Sequence, residues 1–249
     1  MHRVLLHAMR IKIKKWFKQN KAPKWYTNDL RAFVQAHRQV FGKDPDLEEF
    51  PCLNDNTPTT GFDSHYTYQG PWVMRNLLHK RPAKHVDVGS WTAYLGFFSS
   101  LQPTEFVDIR PAELSLPGLT PRDGSVLRLP YSNNSLESLS CLHVVEHIGL
   151  GRYGDPIDPL GTMKALKELS RVMAKGGDLY LSLPVGEEKI FFNAHRVTHP
   201  RIVLENMEGM KLVSLSGVLD DGSYLENAEL ELLSRQKYAC GLFHFLKQA

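Results

Sequence analysis

The stretch from Lys84 to Asp108, KHVDVGSWTAYLGFFSSLQPTEFVD, constrains the fold more than any other part of the chain. Two short apolar runs, each closing on a carboxylate, flank a tight turn and an apolar helical segment, so the stretch reads as strand, turn, helix and second strand. Asp87 and Asp108, the two closing acids, stand 21 positions apart. Gly89 after the first strand lets backbone N–H groups and the helix start approach a polar ligand. An acid about 20 residues on can hold both hydroxyls of a ribose. This is the layout of a nucleotide-type cofactor site. Where a dinucleotide fingerprint would place two more glycines, however, Ser90, Trp91, Thr92 and Ala93 follow Gly89. From these residues alone an ordinary buried strand and turn is the competing reading.

From Ala83 onward strands and helices alternate as in a parallel sheet with crossover connections. KHVDVG and EFVDI are the first two strands, with AYLGFFSSL the helix between them. SVLRLP reads as a brief third strand and SLESLSCLHVV as the fourth. MKALKELSRVMAKGG is an amphipathic helix stopped by Lys-Gly-Gly, and DLYLSLPVG is the fifth strand. HPRIVLENMEG is a further helix. MKLVSLSGVLD and YACGLFHFLK then pair antiparallel and close the sheet edge. Upstream, TNDLRAFVQAHRQVFG is a helix capped at Thr27 or Asn28 and stopped at Gly42. Residues 43–64, with Pro45, Pro51 and Pro58, form a long loop, and a short helix over Pro71–Lys80 leads into the first strand. Tyr66, Tyr68 and Trp72 beside that helix either floor a ligand pocket or pack as core.

With these segments in order, LPYSNNSLESLSCLHVVEHIGL followed by ALKELSRVMAKGGDLYLSLP resembles the class I S-adenosylmethionine-dependent methyltransferases. The resemblance implies an α/β fold: a Rossmann-like, doubly wound sheet of seven strands, mostly parallel with an antiparallel last strand, and a pocket for S-adenosylmethionine across the carboxyl ends of strands one, two and four. More narrowly, HVDVGS, DIRP, ESLSCLHVVEHIGLGRYGDPIDPLG and FNAHRVTHP are similar to the bacterial family known as domain of unknown function 268. We associate its members with surface-polysaccharide gene clusters, which implies a sugar or glycan-precursor acceptor.

Carried over position by position, the resemblance implies that Asp87 organises the turn near the methionine amino group while Gly89, with Ser90 and Trp91 beside it, admits the cofactor. Asp108 is the ribose acid, its two oxygens matching two hydroxyls, and Ile109 lies next to the adenine. Counting back from Leu129-Pro130 puts Ser125 at the adenine edge, with Asp123 as the alternative if the turn is two residues longer. Leu142 and His143 line the methionine side. Trp91 and Ala93 replace glycines of the family pattern. They either wall the methionine moiety or crowd it out, and in the second case the chain is a degenerate, non-catalytic cofactor-binding or scaffold member of the fold.

Methyl transfer to oxygen is an in-line displacement in which the protein aligns the acceptor and removes its proton. Candidates cluster past strands four and five, where open α/β sheets bind ligands. His143, Glu146 and His147 come first. The loop GLGRYGDPIDPLG adds Arg152, Tyr153, Asp155 and Asp158, and FNAHRVTHP adds Asn193, His195, Arg196 and His199. Of these, His147, His195 and Asp155 are the candidate catalytic groups. Arg152, Tyr153, Asp158, Asn193 and Arg196 are the candidate substrate contacts, an amide and guanidinia suiting a polyhydroxyl or phosphorylated sugar. Each has a plainer role: His147 as a local hydrogen-bonding residue, and Asp155 and Asp158, both before prolines, as turn formers. No metal is required by these residues. His143-Val-Val-Glu146-His147 does match the inverted zinc-peptidase pattern H-x-x-E-H, with Glu226 or Glu229 as third ligand, but a strand-like lead and Gly149 and Gly151 directly after it argue against the helix a zinc hydrolase needs there.

Length and charge set the remaining expectations. A chain of 249 residues permits one large α/β domain with an appendage, divided here as a basic helical extension and loop over 1–64 and the methyltransferase-like domain over 65–249. Three widely spaced cysteines suit reduced thiols and a cytoplasmic setting. The net charge of +3 does not argue for nucleic acid. Residues 1–28 nevertheless carry Arg3, Arg10, Lys12, Lys14, Lys15, Lys18, Lys21 and Lys24 with no acid, and Leu5, Met9, Ile13, Trp16 and Phe17 share one side of a helix. That pattern suits either a helix packed on the main domain with a solvated basic face or peripheral contact of residues 1–24 with an anionic membrane on its inner face. Oligomeric state is not legible.

Overall fold

The structure, a computed structural model, describes residues 22–248. The basic segment before Ala22 lies outside the described residues. Two compact units divide after Gly61. In the first, helix α1 (Lys24–Phe41) ends on Gly42, whose left-handed backbone (φ 71°) sends its N–H to the Arg38 carbonyl at 2.9 Å. The helix starts at Lys24, one residue past Pro23, so neither Thr27 nor Asn28 is its cap. Thr27 instead returns its hydroxyl to the Pro23 carbonyl at 3.3 Å.

The second unit begins with helix α2 (Ser64–Lys80), a turn and more longer than the expected Pro71–Lys80. Asp63 supplies the cap, accepting the Tyr66 N–H at 3.1 Å. Strand β1 (His85–Val88), helix α3 (Thr92–Leu101), strand β2 (Thr104–Asp108), β3 (Leu119–Asp123) and β4 (Leu136–Leu142) follow. A 3-10 turn, Val145–His147, helix α4 (Gly161–Val172) and the long strand β5 (Met173–Val185) come next. A hairpin of β6 (Lys189–Phe191) and β7 (His195–Val197), helix α5 (Pro200–Glu205), β8 (Met210–Val218), β9 (Tyr224–Leu225), helix α6 (Leu230–Ser234) and β10 (Ala239–Lys247) complete the unit.

The main sheet runs β3-β2-β1-β4-β5-β10-β8-β9. Strands β1 to β5 are mutually parallel, and β10 is antiparallel to both β5 and β8. This is the expected Rossmann-like, mostly parallel α/β sheet, with eight strands rather than seven because the two-residue β9 adds an edge beyond β8. The last strand is inserted between its neighbours rather than closing the edge. Two further boundaries differ. The third strand is LTPRD, an exposed edge strand that tolerates Pro121 because one side needs no partner. SVLRLP is instead a turn, closed by Arg128 N–H to the Ser125 carbonyl at 2.9 Å, that drops Val126 and Leu129 into the core. Helix α4 stops at Val172, and the Lys-Gly-Gly segment already belongs to β5, where the register against β4 shifts.

Side chains alternate across the strands and make one apolar layer on each face. One gathers Val86, Val88, Leu139, Leu166, Leu169 and Leu181; the other gathers Trp72, Leu77, Leu95, Phe98, Phe106 and Leu242. Full burial of each such side chain contributes about 1.5–3 kcal/mol. Between β1 and β4 the winding order reverses. That topological switch point opens a crevice at the carboxyl ends of the strands.

Candidate active site

Two adjoining cavities occupy the crevice. The first, about 460 Å³, lies over the ends of β1, β2 and β4 and is lined by Gly89, Asp108, Ile109, Ser125, Val126 and His143 among others. Such a volume is in the range of small-molecule sites. Gly89 is at φ 67°, and a Cβ there would stand 3.1 Å from Val144 Cγ1 and 3.7 Å from Asp108 Oδ2. Only glycine keeps that wall open. Asp108 Oδ1 accepts the Arg110 N–H at 2.7 Å, which orients the carboxylate at the cavity wall.

Asp87 is wholly buried behind this wall and does not line it. Its oxygens accept the Ser90 N–H at 3.1 Å, the Ser90 hydroxyl at 2.7 Å and the Ser140 hydroxyl. Ser90 Oγ in turn accepts the Leu142 N–H at 3.1 Å, and the His85 ring bridges Ser140 (2.9 Å) and Ser138 (2.8 Å). A polar network therefore locks β1, its turn and β4 together. Burial pushes the Asp87 carboxyl up to about 6, partly offset by the Ser140 and Ser90 hydrogen bonds. Burial also pushes His85 down to about 3, so it is neutral. Because Ser140 donates to Asp87, the consistent tautomer has His85 Nε2–H donating to Ser140 and Nδ1 accepting from Ser138. Sequence reasoning missed His85, Ser138 and Ser140. Their signal is polar residues at alternate positions of otherwise apolar strands.

The second cavity, about 570 Å³, shares Gly89, His143, His147 and Tyr153 with the first and adds Tyr66, Trp91, Glu146, Arg152, His195 and Tyr238. Trp91 is 53% exposed, meets Tyr66 and Tyr94 edge-on and is absent from the lining of the first cavity, so it does not block the Asp108 side. Leu142 likewise faces the second cavity. Asp123, at the end of β3, lines neither, which leaves Ser125 as the residue at the adenine-edge position. Of the aromatic trio only Tyr66 reaches the site; Trp72 is core and Tyr68 stacks on Tyr224.

His147 sits where the cavities meet. Its Nδ1 lies 2.6 Å from the Ala194 carbonyl, an acceptor, so this nitrogen carries the proton and Nε2 keeps a lone pair. The 3.3 Å approach of Arg152 to Nδ1 is then proximity between two donors, since Arg152 also donates to Ala194 O at 3.0 Å. Glu146 Oε1 stands 3.7 Å from His147 Nε2. His195 is half-buried against Tyr238 and Phe191, and burial lowers its pKa, with its charged neighbours contributing. His143 accepts an unusual backbone, φ 55°, and pairs through Nδ1 with Glu146 Oε1 at 2.7 Å. Burial alone would lower the His143 pKa, but Cys240 and Glu146 beside it hold it up.

Most of the remaining candidates make their hydrogen bonds within the loop after β4 or to it. Asp155 touches the first cavity, but its carboxylate accepts N–H groups of Gly149 (2.6 Å), Tyr153 (3.3 Å) and Gly151 (3.4 Å). Burial would raise its pKa, yet those hydrogen bonds lower it, so it is a loop clasp and a poor base. Asp158 pairs with Lys164 at 2.6 Å and accepts the Leu160 N–H. Arg196 is buried and donates to the Ile148 and Asp158 carbonyls and to Thr162 Oγ1, clamping the loop to α4. Asn193 is exposed at the hairpin tip and lines neither cavity, and His199 caps α5. The H-x-x-E-H residues do not gather a metal-ligand set with Glu226 or Glu229 among the described residues, because His147 stands on a single 3-10 turn.

Residues 129–237 match a family model described as "Caenorhabditis protein of unknown function, DUF268", where the sequence resemblance was to a bacterial family of that number. No curated protein sequence matches the chain. Among solved structures, the N-methyltransferase NodS of Bradyrhizobium japonicum, in complex with S-adenosylhomocysteine, aligns with a TM-score of 0.51 at 12% identity over 87% of this chain and 98% of its own. A proposed sarcosine dimethylglycine methyltransferase of Galdieria sulphuraria gives 0.50 at 15% over 72% and 85%. The [4+2]-cyclase SpnF gives 0.51 at 12% over 71% and 81%. Together with the strand order and the inserted last strand, these likenesses establish the architecture: the chain carries the Rossmann-like fold of the class I S-adenosylmethionine-dependent methyltransferases, with a segment over 129–237 that matches the DUF268 model.

Proposed function

We propose that the protein is an S-adenosylmethionine-dependent O-methyltransferase whose acceptor is a sugar or a related polyhydroxyl compound, such as a glycan precursor. The observation that carries this reading is the position of His147 between two cavities, with Nδ1 tied to the Ala194 carbonyl and Nε2 left as a proton acceptor. The residues of the first cavity fit the cofactor. Gly89 leaves room, Asp108 offers a carboxylate to ribose hydroxyls, and Ile109, Ser125 and Val126 supply an apolar and polar edge for adenine. When bound, the cofactor supplies a methyl group on a sulfonium, already a good leaving group.

The second cavity fits the acceptor. Tyr66, Trp91 and Tyr238 offer aromatic faces to a sugar ring, and Arg152 and His195 offer polar contacts to its hydroxyls. Burial pushes both Tyr66 and Tyr238 up to about 12, which keeps these phenols protonated hydrogen-bond donors. In the transfer the acceptor O–H proton passes to His147 Nε2. Glu146, at 3.7 Å, stabilises the imidazolium that results. The exposed position of Trp91 favours this reading over a degenerate scaffold.

Calorimetric titration with S-adenosylmethionine and S-adenosylhomocysteine tests the first half. Micromolar to submillimolar binding is expected for the wild type, weakened at least tenfold in Asp108→Ala. No binding of either compound by a folded wild type would overturn the proposal. Transfer of labelled methyl to sugar and nucleotide-sugar acceptors tests the second half.

A further inference from the structure

We propose that His65, His143 and Cys240 form a binding site for a thiophilic divalent metal ion of the zinc class. The three residues come from separate elements: His65 from the first turn of α2, His143 from the end of β4, and Cys240 from β10. All are buried, and one nitrogen or sulfur donor from each lies within 4.8 Å of the others. Two imidazoles and a thiol are the donor set zinc selects. Its bond lengths place donors roughly 3.5 Å apart in a tetrahedron, so each need move inward by only about an ångström or less.

The surroundings of His143 are those of a metal ligand. In metal sites a histidine usually donates its second ring nitrogen to a carboxylate or a backbone carbonyl, which fixes the ring and the tautomer. His143 Nδ1 has Glu146 Oε1 at 2.7 Å, and the His65 ring lies stacked between His143 and Tyr238. The rings themselves are stacked, with centroids 5.3 Å apart. His143 Nε2, the nitrogen left over, is buried without a hydrogen-bond partner. An orphaned buried nitrogen is costly in a protein interior, and a metal ion satisfies it. His143 also holds a left-handed backbone, φ 55°, that a residue with a Cβ adopts only when its surroundings fix it. Charge closes as well: a divalent cation, the Cys240 thiolate formed on binding and the Glu146 carboxylate sum to zero in a buried space. This set excludes His147, so it differs from the zinc-peptidase pattern in the sequence. It shares His143 and Glu146 with the cavity walls, but its test reads metal binding and not methyl transfer.

Cobalt(II) is a suitable probe because a cobalt–thiolate bond absorbs in the near ultraviolet and tetrahedral cobalt absorbs in the visible. Purified full-length protein incubated with cobalt is expected to bind one ion per chain and to show both features. Cys240→Ala should abolish the thiolate band, whereas Cys141→Ala, a core cysteine outside the cluster, should retain it. No band in the wild type, or a band that survives Cys240→Ala, would overturn the proposal. Should Cys240→Ala not fold, His65→Gln and the wild type carry the test: zinc should raise the wild-type melting temperature by several degrees and His65→Gln should lose that rise, whereas equal melting with zinc and with chelator in the wild type refutes the site.

Discussion

At the scale of single residues, hydrogen bonds decide which ring nitrogen each histidine leaves available. His147 donates through Nδ1 to a carbonyl and so presents Nε2 to the junction of the cavities, whereas His143 spends Nδ1 on Glu146 and His85 spends both nitrogens on serines. Loss of a positioned general base costs about 10²–10⁴-fold in rate. His147→Gln is therefore expected to lower kcat by that range while changing the S-adenosylmethionine Kd by less than about threefold. His195→Ala is expected to raise acceptor KM more than it lowers kcat; a larger kcat loss for His195→Ala than for His147→Gln would reverse the assignment. Asp87 makes a second residue-scale prediction. Its folded pKa of about 6 lies above the unfolded value near 4, so the folded state binds a proton more tightly. The corresponding stability is complete below about pH 4 and is lost as pH rises through 6. Two units correspond to about 3 kcal/mol. Compared with Asp87→Asn, which does not titrate, the wild type should gain up to about that much stability between pH 7 and pH 4 in urea unfolding. A difference that stays flat across this window would show that Asp87 is not the buried acid described here.

At the scale of elements, the site depends on a loop that Asp155 and the buried Arg196 hold from either side. Asp155 gathers the N–H groups of its own turn, and Arg196 reaches from β7 to the carbonyls of Ile148 and Asp158. Gly149 completes the packing, since a Cβ there would fall 2.0 Å from the Asp158 carbonyl oxygen. Arg196→Lys keeps the charge but loses the fork that spans two carbonyls. Faster amide exchange over residues 148–162 and a several-fold rise in acceptor KM are expected, with the exchange of β1 and β4 unchanged; unaltered exchange in the loop would remove Arg196 from this role. The same elements show what can be read in a sequence. Strands β1, β2 and β4 were legible because buried parallel strands are apolar runs, and Gly89 and Asp108 stand at their ends. β3 was not, because LTPRD is an exposed edge strand whose composition resembles a loop, while SVLRLP imitates a strand by putting Val126 and Leu129 into the core from a turn. Arg196 and Asp158 read as substrate groups because a sequence shows polarity in a loop but not which partners within the protein its atoms take. Tyr238 reaches the second cavity, and Cys240 the cluster with His65 and His143, only because β10 inserts between β5 and β8, a pairing that no local pattern announces.

At the scale of the whole molecule, charge is divided along the chain. Every charged group in residues 1–28 is a lysine or arginine, while the overall balance is only +3, so the remainder is net acidic. Residues before Ala22 lie outside the described structure, and among the described residues no helix is long and apolar enough to cross a membrane. Attachment of this segment to a surface thus rests on the sequence pattern: cations on one side of a helix and Leu5, Met9, Ile13, Trp16 and Phe17 on the other. Each lysine or arginine near an anionic surface contributes about 1 kcal/mol, and the attraction falls away beyond a Debye length. In flotation, full-length protein is expected to rise with vesicles containing about a third phosphatidylserine or phosphatidylglycerol and to stay behind with phosphatidylcholine alone, the bound fraction dropping as salt is raised. Protein starting at Pro23 should stay behind in both. Equal flotation of the two proteins would place the membrane contact elsewhere, and no flotation of either would assign the basic face to solvent.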